Sequence, residues 1–114
     1  MKRDIVLLLE INESVKLIME YSKGKSINDY HNSRSLQDSI LYRFVIIGEA
    51  TKNLSKSIFT SYPSIPWSKM AKMRDYVAHK YSHVDDELIW KTIVDDLPPL
   101  KHAIDEILGE LSSR

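Results

Sequence analysis

Residues 35–54 read SLQDSILYRFVIIGEATKNL and carry the strongest helical pattern in the chain. Apolar side chains recur at spacings of three, four and seven residues from Leu36 to Leu54, which is the period of a helix with a buried face. Gly48 interrupts this run, although glycine costs about 1 kcal/mol relative to alanine inside a helix. We therefore predict that another backbone packs closely against the helix at Gly48.

A second helix precedes this one. Residues 4–21 show the same period, with charged side chains largely between the apolar positions. Gly24 then suits a C-terminal cap. Residues 26–33 are polar and predict a turn or a single helical turn, after which Ser33 or Ser35 caps the next helix.

Further helices follow the central one. Residues 57–65 read as a connector, because prolines bracket its end. Pro66 suits the first turn of a helix that continues through Val77. Acids at positions 85–87 favour the start of the next helix.

A proline pair divides the last part of the chain. Pro98-Pro99 should kink or break the helix that begins near position 86, before a final apolar stripe at 100–111. The sum is an all-α antiparallel bundle of four to five helices, which we expect to form one domain over residues 1–114.

Composition narrows the possible chemistry. The chain has 114 residues and no cysteine, which excludes a disulfide framework, a thiol nucleophile and a cysteine-ligated zinc site. The histidines lack paired zinc-binding spacing, so no metal site and no cofactor are predicted. The apolar run at 5–9 is too short for a signal peptide, and no stretch approaches the roughly 20 apolar residues that span a membrane. We expect a cytoplasmic protein.

Charge is balanced overall and uneven along the chain. Residues 67–83 carry four basic residues and one acid, whereas residues 84–114 carry eight acids and three bases. A global basic signature for nucleic acid is missing. The local basic segment nevertheless coincides with the one stretch whose residue types suggest chemistry.

That stretch is residues 73–81, MRDYVAHKY. On a helical wheel Arg74 lies within about 40° of Met70 and is directed toward the apolar side, where a charge needs a partner, a ligand or an interface. His79 points nearly opposite Met70. For Arg74 and His79 to converge, the helix must end or bend near residues 77–79, or two subunits must supply them.

Ordinary structural roles would also account for these residues. An arginine at the edge of an apolar face often extends to solvent or pairs with an acid. Glu49, beside Gly48, is equally well an orienting partner for Arg74 or an exposed helix acid. Trp67 and Trp90 suit core or interface anchors. The remaining histidines suit a loop (His31) and the surface (His83 and His102).

Arg74, His79 and Tyr81 form R-x4-H-x-Y, which resembles the motif of HepT-like proteins in the HEPN superfamily. Asp75 follows the arginine, where a small polar residue is usual in that superfamily. Residues 47–54 resemble the family's second long helix, residues 65–70 precede the motif as in the family, and residues 96–98 resemble a late-helix segment. The resemblance covers nearly the whole chain.

The resemblance implies a dimeric helical bundle in which the motif of each subunit lines a shared cleft. Members are typically toxins paired with a minimal nucleotidyltransferase antitoxin, and the superfamily includes metal-independent endoribonucleases. In such an enzyme His79 would move protons, Arg74 would hold the phosphate, and Tyr81 would orient the phosphate or stack on a base. Three lysines would attract the RNA backbone: Lys69, Lys72 and Lys80.

The resemblance also implies a means of control, in which the nucleotidyltransferase adenylylates Tyr81. An attached AMP beside Arg74 would occupy the phosphate site and repel RNA. Tyr76 lies outside the motif and is a weaker candidate acceptor. The alternative function is a non-catalytic module, in which the bundle binds a nucleotide or a nucleotidyltransferase and cleaves nothing.

Overall fold

The computed structural model describes residues 2–113. Within this range the helices are α1 (Lys2–Ser22), α2 (Ile27–His31), α3 (Arg34–Lys52), α4 (Lys56–Ser61), α5 (Trp67–Lys80), α6 (Asp86–Lys91) and α7 (Leu97–Ser112). A 3₁₀ turn, Tyr81–His83, follows α5, and a π-helical turn, Thr92–Asp96, joins α6 to α7. The predicted all-α class is confirmed.

Helices α3 and α5 pack side by side and run in opposite directions. Gly48 of α3 faces Arg74 of α5, and Asp38, earlier in α3, bonds Tyr81 just after α5. Residue numbers therefore fall along one helix as they rise along the other. Helix α1 packs on the same α3 and on α7, which gives the predicted bundle.

Most predicted helix ends are confirmed. Gly24 has a φ of 71°, a left-handed conformation that favours glycine, two residues after α1 ends. Ser33 caps α3 by accepting a hydrogen bond from the Leu36 backbone. Asp85 caps α6 in the same way. Residues 26–33 form the single helical turn that was predicted.

The connector predicted at residues 57–65 is wrong, because α4 occupies Lys56–Ser61. The cap residue Ser55 accepts no capping bond from α4, but its backbone N–H and hydroxyl both donate to the buried carboxylate of Asp4, at 2.9 and 2.6 Å. The start of α1 therefore holds the chain where α3 ends and α4 begins.

The prolines at 98 and 99 do not end the last helix. Instead, the π-helical turn Thr92–Asp96 precedes them, and α7 runs on to Ser112. A proline lacks the N–H that would bond four residues back, and a π turn changes that bonding pattern just before the pair. The Thr92 hydroxyl donates to the Leu88 carbonyl at 2.8 Å.

The core confirms the predicted close approach at Gly48. A Cβ added there would lie 2.1 Å from Arg74 Cβ and 2.9 Å from the Met70 carbonyl oxygen. Trp67 is buried, and its Nε1 donates to the Tyr62 carbonyl at 2.9 Å. Trp90 packs partly buried against this core, so both tryptophans are core anchors.

Candidate functional site

Helix α5 carries the arginine and the histidine of the motif, and Gly48 fixes the position of the arginine. Because glycine has no side chain, the Arg74 backbone and Cβ sit directly on α3. The guanidinium then leaves the seam between α3 and α5 and is about one-third exposed, with 34% of the side chain accessible. It is anchored at its base and open at its tip.

Two acids flank the Arg74 guanidinium. Glu49 Oε2 lies 3.1 Å from Nε, and Asp75 Oδ1 accepts a hydrogen bond from Nη1 at 3.1 Å. Asp75 also pairs with Lys52, and the hydrogen bonds from Lys52 and Arg74 hold the pKa of the Asp75 carboxyl below its usual value. Glu49 is therefore an ion-pair partner of Arg74 and is also an exposed helix acid, so the contact does not separate the two roles predicted for it.

The contact with Glu49 orients Arg74 but leaves the Nε hydrogen-bond donor of Arg74 without an acceptor in the described part of the chain. The Arg74 Nε atom is buried, and its N–H has no hydrogen-bond acceptor within residues 2–113. Glu49 Oε2 is close enough for charge attraction but lies off the N–H direction. The buried Nε is out of reach of a ligand, so any hydrogen bonds to an anion would come from the Nη atoms at the partly exposed end of the side chain.

His79 lies on the last turn of α5 and is exposed. It makes no hydrogen bond or ion pair with any part of the described chain. Helix α5 is continuous through His79 to Lys80, so the bend considered at residues 77–79 is wrong. The side chains of Arg74 and His79 therefore project from one unbroken helix in directions about 140° apart around its axis.

Tyr81 bonds to α3 at a different position from Arg74. Its hydroxyl donates a hydrogen bond of 2.8 Å to Asp38 Oδ1 on α3. The pKa of the Tyr81 phenol is raised, mainly by this hydrogen bond to a carboxylate. The nearby positive charge of Arg34 opposes the increase without cancelling it. No hydrogen bond or ion pair joins Arg74, His79 and Tyr81 to one another within residues 2–113.

Sequence reasoning missed Asp38 and Arg34. The signal was the antiparallel register, because Asp38 lies about 15 Å before Gly48 along α3 and Tyr81 about 10 Å after Arg74 along α5, at 1.5 Å per residue. Once Gly48 is placed opposite Arg74, the backbones at Asp38 and Tyr81 fall about 5 Å apart along the two helices, and the long Tyr81 side chain reaches across that offset to Asp38. The sequence alone does not show how α3 and α5 are aligned, so it could not predict the contact between Asp38 and Tyr81.

The three predicted RNA-attracting lysines differ in their surroundings. Lys69 pairs with Asp96 of the π-helical turn, so its charge is already partly offset. Lys72 and Lys80 are exposed on α5 and form no ion pair inside the described range. Within residues 2–113, Lys72 and Lys80 thus keep unpaired positive charge on α5, whereas Arg74 is flanked by two acids.

A cleft of about 540 Å³ lies next to Tyr81, which forms part of its lining. Its walls come from α2, the first turn of α3, the 3₁₀ turn and the start of α6. His31, predicted as a loop residue, ends α2 at this cleft and pairs with Asp86. His83 and His102 are exposed, as predicted.

Comparison with known proteins decides the family. A model of ribonuclease HepT-like proteins matches residues 11–107. The chain belongs to the ribonuclease HepT-like family. The resemblance drawn from the R-x4-H-x-Y motif is confirmed at this level, and the helical bundle agrees with a HEPN-type fold.

Three relatives show how far the similarity extends. The "Gamma-glutamylcyclotransferase and putative RNase" of Methanocaldococcus jannaschii is 43% identical over 112 residues, 97% of this chain and 50% of that relative. The "Probable ribonuclease HepT" of Thermococcus cleftensis is 35% identical over 88% of this chain and 91% of its own. A "Putative RNase" of Caldanaerobacter subterraneus is 35% identical over 89% and 90%. The chain thus spans about half of the first relative and most of the other two.

No solved structure matches this HepT-like chain. Among residues 2–113, no helix is both long and apolar enough to cross a bilayer. In the same range, no three histidine, aspartate or glutamate side chains are grouped so that they would hold a metal ion.

Proposed function

We propose that this HepT-like protein is the toxin of a two-component system and acts as a homodimeric, metal-independent endoribonuclease. The observation that carries the proposal is the state of Arg74, whose base is fixed on Gly48, whose Nε lies beside Glu49, and whose side chain remains about one-third exposed at 34%. A rigid guanidinium of this kind suits a phosphodiester. Its place in a ribonuclease family supports RNA as the substrate.

The reaction needs no nucleophile from the protein, because RNA supplies its own. The 2′-oxygen attacks the adjacent phosphorus, a new P–O bond forms, and the bond to the 5′-oxygen breaks. The hydroxyl proton leaves as the first bond forms, and a proton reaches the 5′-oxygen as the second breaks. His79 moves these protons, which an imidazole does efficiently near neutral pH. Arg74 offsets the charge that develops on the phosphate oxygens.

The geometry of α5 supports the proposed dimer. Arg74 and His79 diverge by about 140° on one straight helix, so one copy presents them to different directions. A two-fold axis perpendicular to α5, passing between residues 74 and 79, would bring Arg74 of one copy level with His79 of the other and would create two equivalent sites. Lys72 and Lys80 on the same helix would attract the RNA backbone without regard to sequence.

Control of this toxin rests on Tyr81, which we propose is adenylylated by a minimal nucleotidyltransferase antitoxin. Tyr81 is 46% exposed and lies two residues beyond His79. AMP on its hydroxyl adds a negative phosphate and a bulky base at this end of the site. Both effects oppose the approach of RNA.

The experiment that tests this function is RNA cleavage by the purified, unmodified protein in the presence of EDTA. We expect cleavage by the wild type and by His102→Ala, which changes an exposed histidine on α7. We expect Arg74→Ala and His79→Ala to lose about two orders of magnitude or more in rate, as for removal of a charge-stabilising or proton-moving group. Cleavage that persists in both variants would contradict the proposal.

A further inference from the structure

The surroundings of the Tyr81 hydroxyl differ from those of the rest of the motif. Its neighbours are Asp38, at 2.8 Å, and the charge of Arg34 in the first turn of α3. Asp38, Arg34 and Tyr81 all line one narrow recess of about 110 Å³. The phenol is therefore held beside both a proton acceptor and a cation.

This recess adjoins the larger cleft described above. The two share Arg34, Gln37, Leu41, Tyr81 and Ser82, so a ligand in the cleft would lie next to the Tyr81 side chain. The volume of the larger part, about 540 Å³, falls within the range of roughly 300–1,000 Å³ that is usual for small-molecule sites.

The walls of the cleft are fixed by hydrogen bonds. Gln37 Nε2 donates to the carbonyl oxygens of Tyr30 and His31, each at 2.9 Å, which ties α2 to α3. His31 pairs with Asp86, which ties α2 to α6. The cleft is thus formed before any ligand arrives, and binding need not order these helices.

We propose that this cleft receives the nucleotide that is transferred to Tyr81, with Asp38 accepting the phenolic proton and Arg34 facing the transferred phosphate. The inference rests on the proposed adenylylation of Tyr81. It adds that the toxin itself contributes to its own modification, and that the AMP lies beside Arg34 instead of Arg74.

The proposed reaction transfers AMP from ATP to the Tyr81 oxygen. The Tyr81 oxygen attacks the α-phosphorus of ATP, which the nucleotidyltransferase supplies, and an O–P bond forms. The bond from that phosphorus to the bridging oxygen breaks, and pyrophosphate leaves. The phenolic proton passes to the Asp38 carboxylate and from there to solvent. Arg34 offsets the negative charge of the phosphate that stays on the protein.

A proton acceptor is needed because the phenol is protonated at neutral pH. A hydrogen bond to a carboxylate disfavours the free phenolate, which raises the pKa of Tyr81. The attack must then release its proton in the transition state. Asp38 lies at 2.8 Å, within the reach required of a general base.

The test measures the rate of AMP addition by intact mass, using this chain, its purified nucleotidyltransferase partner and Mg-ATP, from pH 6.5 to 9.5. We expect Asp38→Asn to be slower by about 10²-fold at pH 7. The deficit should shrink as the pH rises, because phenolate then forms without a base. Asp38→Glu should recover part of the rate, and Arg34→Gln should be slower at every pH.

Asp95→Asn is the matched control, since Asp95 is an exposed carboxylate on the π-helical turn, and it should react at the wild-type rate. Equal rates for wild type and Asp38→Asn at pH 7, or a deficit that stays constant with pH, would overturn this inference alone. A wild-type chain that gains no AMP on Tyr81 would instead overturn the proposed control of the toxin, and this inference with it.

Discussion

At the residue scale, Gly48 determines where the proposed phosphate-binding arginine lies. The sequence pattern alone predicted a close backbone approach at this glycine, and the approaching residue is Arg74 itself. A packing requirement thus coincides with the position of a proposed site residue. Such a coincidence means that one added methyl group should disturb both stability and the site.

Gly48→Ala should destabilise the protein by about 1–3 kcal/mol, the usual range for overpacking. The new methyl carbon would lie 2.1 Å from Arg74 Cβ and 2.9 Å from a backbone oxygen of α5, which cannot rotate away. RNA cleavage should fall in the same variant, since Arg74 must move. Urea unfolding and a cleavage assay on the same samples measure the two effects.

Gly109→Ala is the control for that comparison. Gly109 lies within α7, and an added Cβ would meet nothing within 4 Å. Alanine there should stabilise the helix by about 0.5–1 kcal/mol and leave cleavage unchanged. If Gly48→Ala behaved like Gly109→Ala, the close contact between α3 and α5 would not be present in solution.

At the element scale, the long helices followed from the sequence and the short ones did not. Apolar periodicity identified α1, α3, α5 and the helix containing α7, because each has enough turns to repeat its pattern. Helix α4 has six residues, less than two turns, and its position depends on Asp4 far away in the sequence. The π-helical turn before Pro98 likewise has no periodic signal.

Contacts in the candidate site were predictable only where the signal lay in residues close together in the sequence. The ion pair of Glu49 with Arg74 was one of the two roles predicted from its place beside Gly48. The partnership of Tyr81 with Asp38 depends on how α3 and α5 align over several turns. That alignment is a tertiary property, set by which side chains interlock along the whole seam.

Asp4→Ala should separate α1 from α4 and destabilise the protein by about 1–3 kcal/mol, because two donors of Ser55 lose a charged acceptor. Glu13→Ala, an exposed position on α1, should have little effect. Urea midpoints at pH 7 test this comparison. A urea midpoint for Asp4→Ala equal to that for Glu13→Ala would show that the hydrogen bonds between Ser55 and Asp4 do not stabilise the position of α4.

The contribution of Asp4 should also depend on pH. Burial raises the pKa of the Asp4 carboxyl, but the hydrogen bonds from Ser55 together with the nearby positive charge of Arg3 and the amino terminus lower it by more, so the pKa is lowered on folding. A lowered carboxyl pKa means that the stabilisation is complete above the unfolded value, about pH 4, and is lost as the pH falls through the folded value. The difference between wild type and Asp4→Ala should therefore shrink below pH 4.

At the scale of the whole molecule, one copy of this HepT-like chain does not bring the proposed site residues Arg74 and His79 together. Arg74 is fixed at the seam of α3 and α5, and His79 is exposed on a different side of the same helix. The proposed two-fold dimer resolves this separation, because each site would take its arginine from one copy and its histidine from the other.

Subunit complementation tests this most directly. Arg74→Ala and His79→Ala chains with different tags are co-expressed, and the mixed dimer is purified through both tags. Each parent dimer should be inactive, whereas the mixed dimer retains one complete site and should cleave RNA at about half the wild-type rate. A dimer of wild type with the double variant Arg74→Ala/His79→Ala should be inactive. An inactive mixed dimer together with an active wild-type/double-variant dimer would contradict the account, because each site would then lie within one chain.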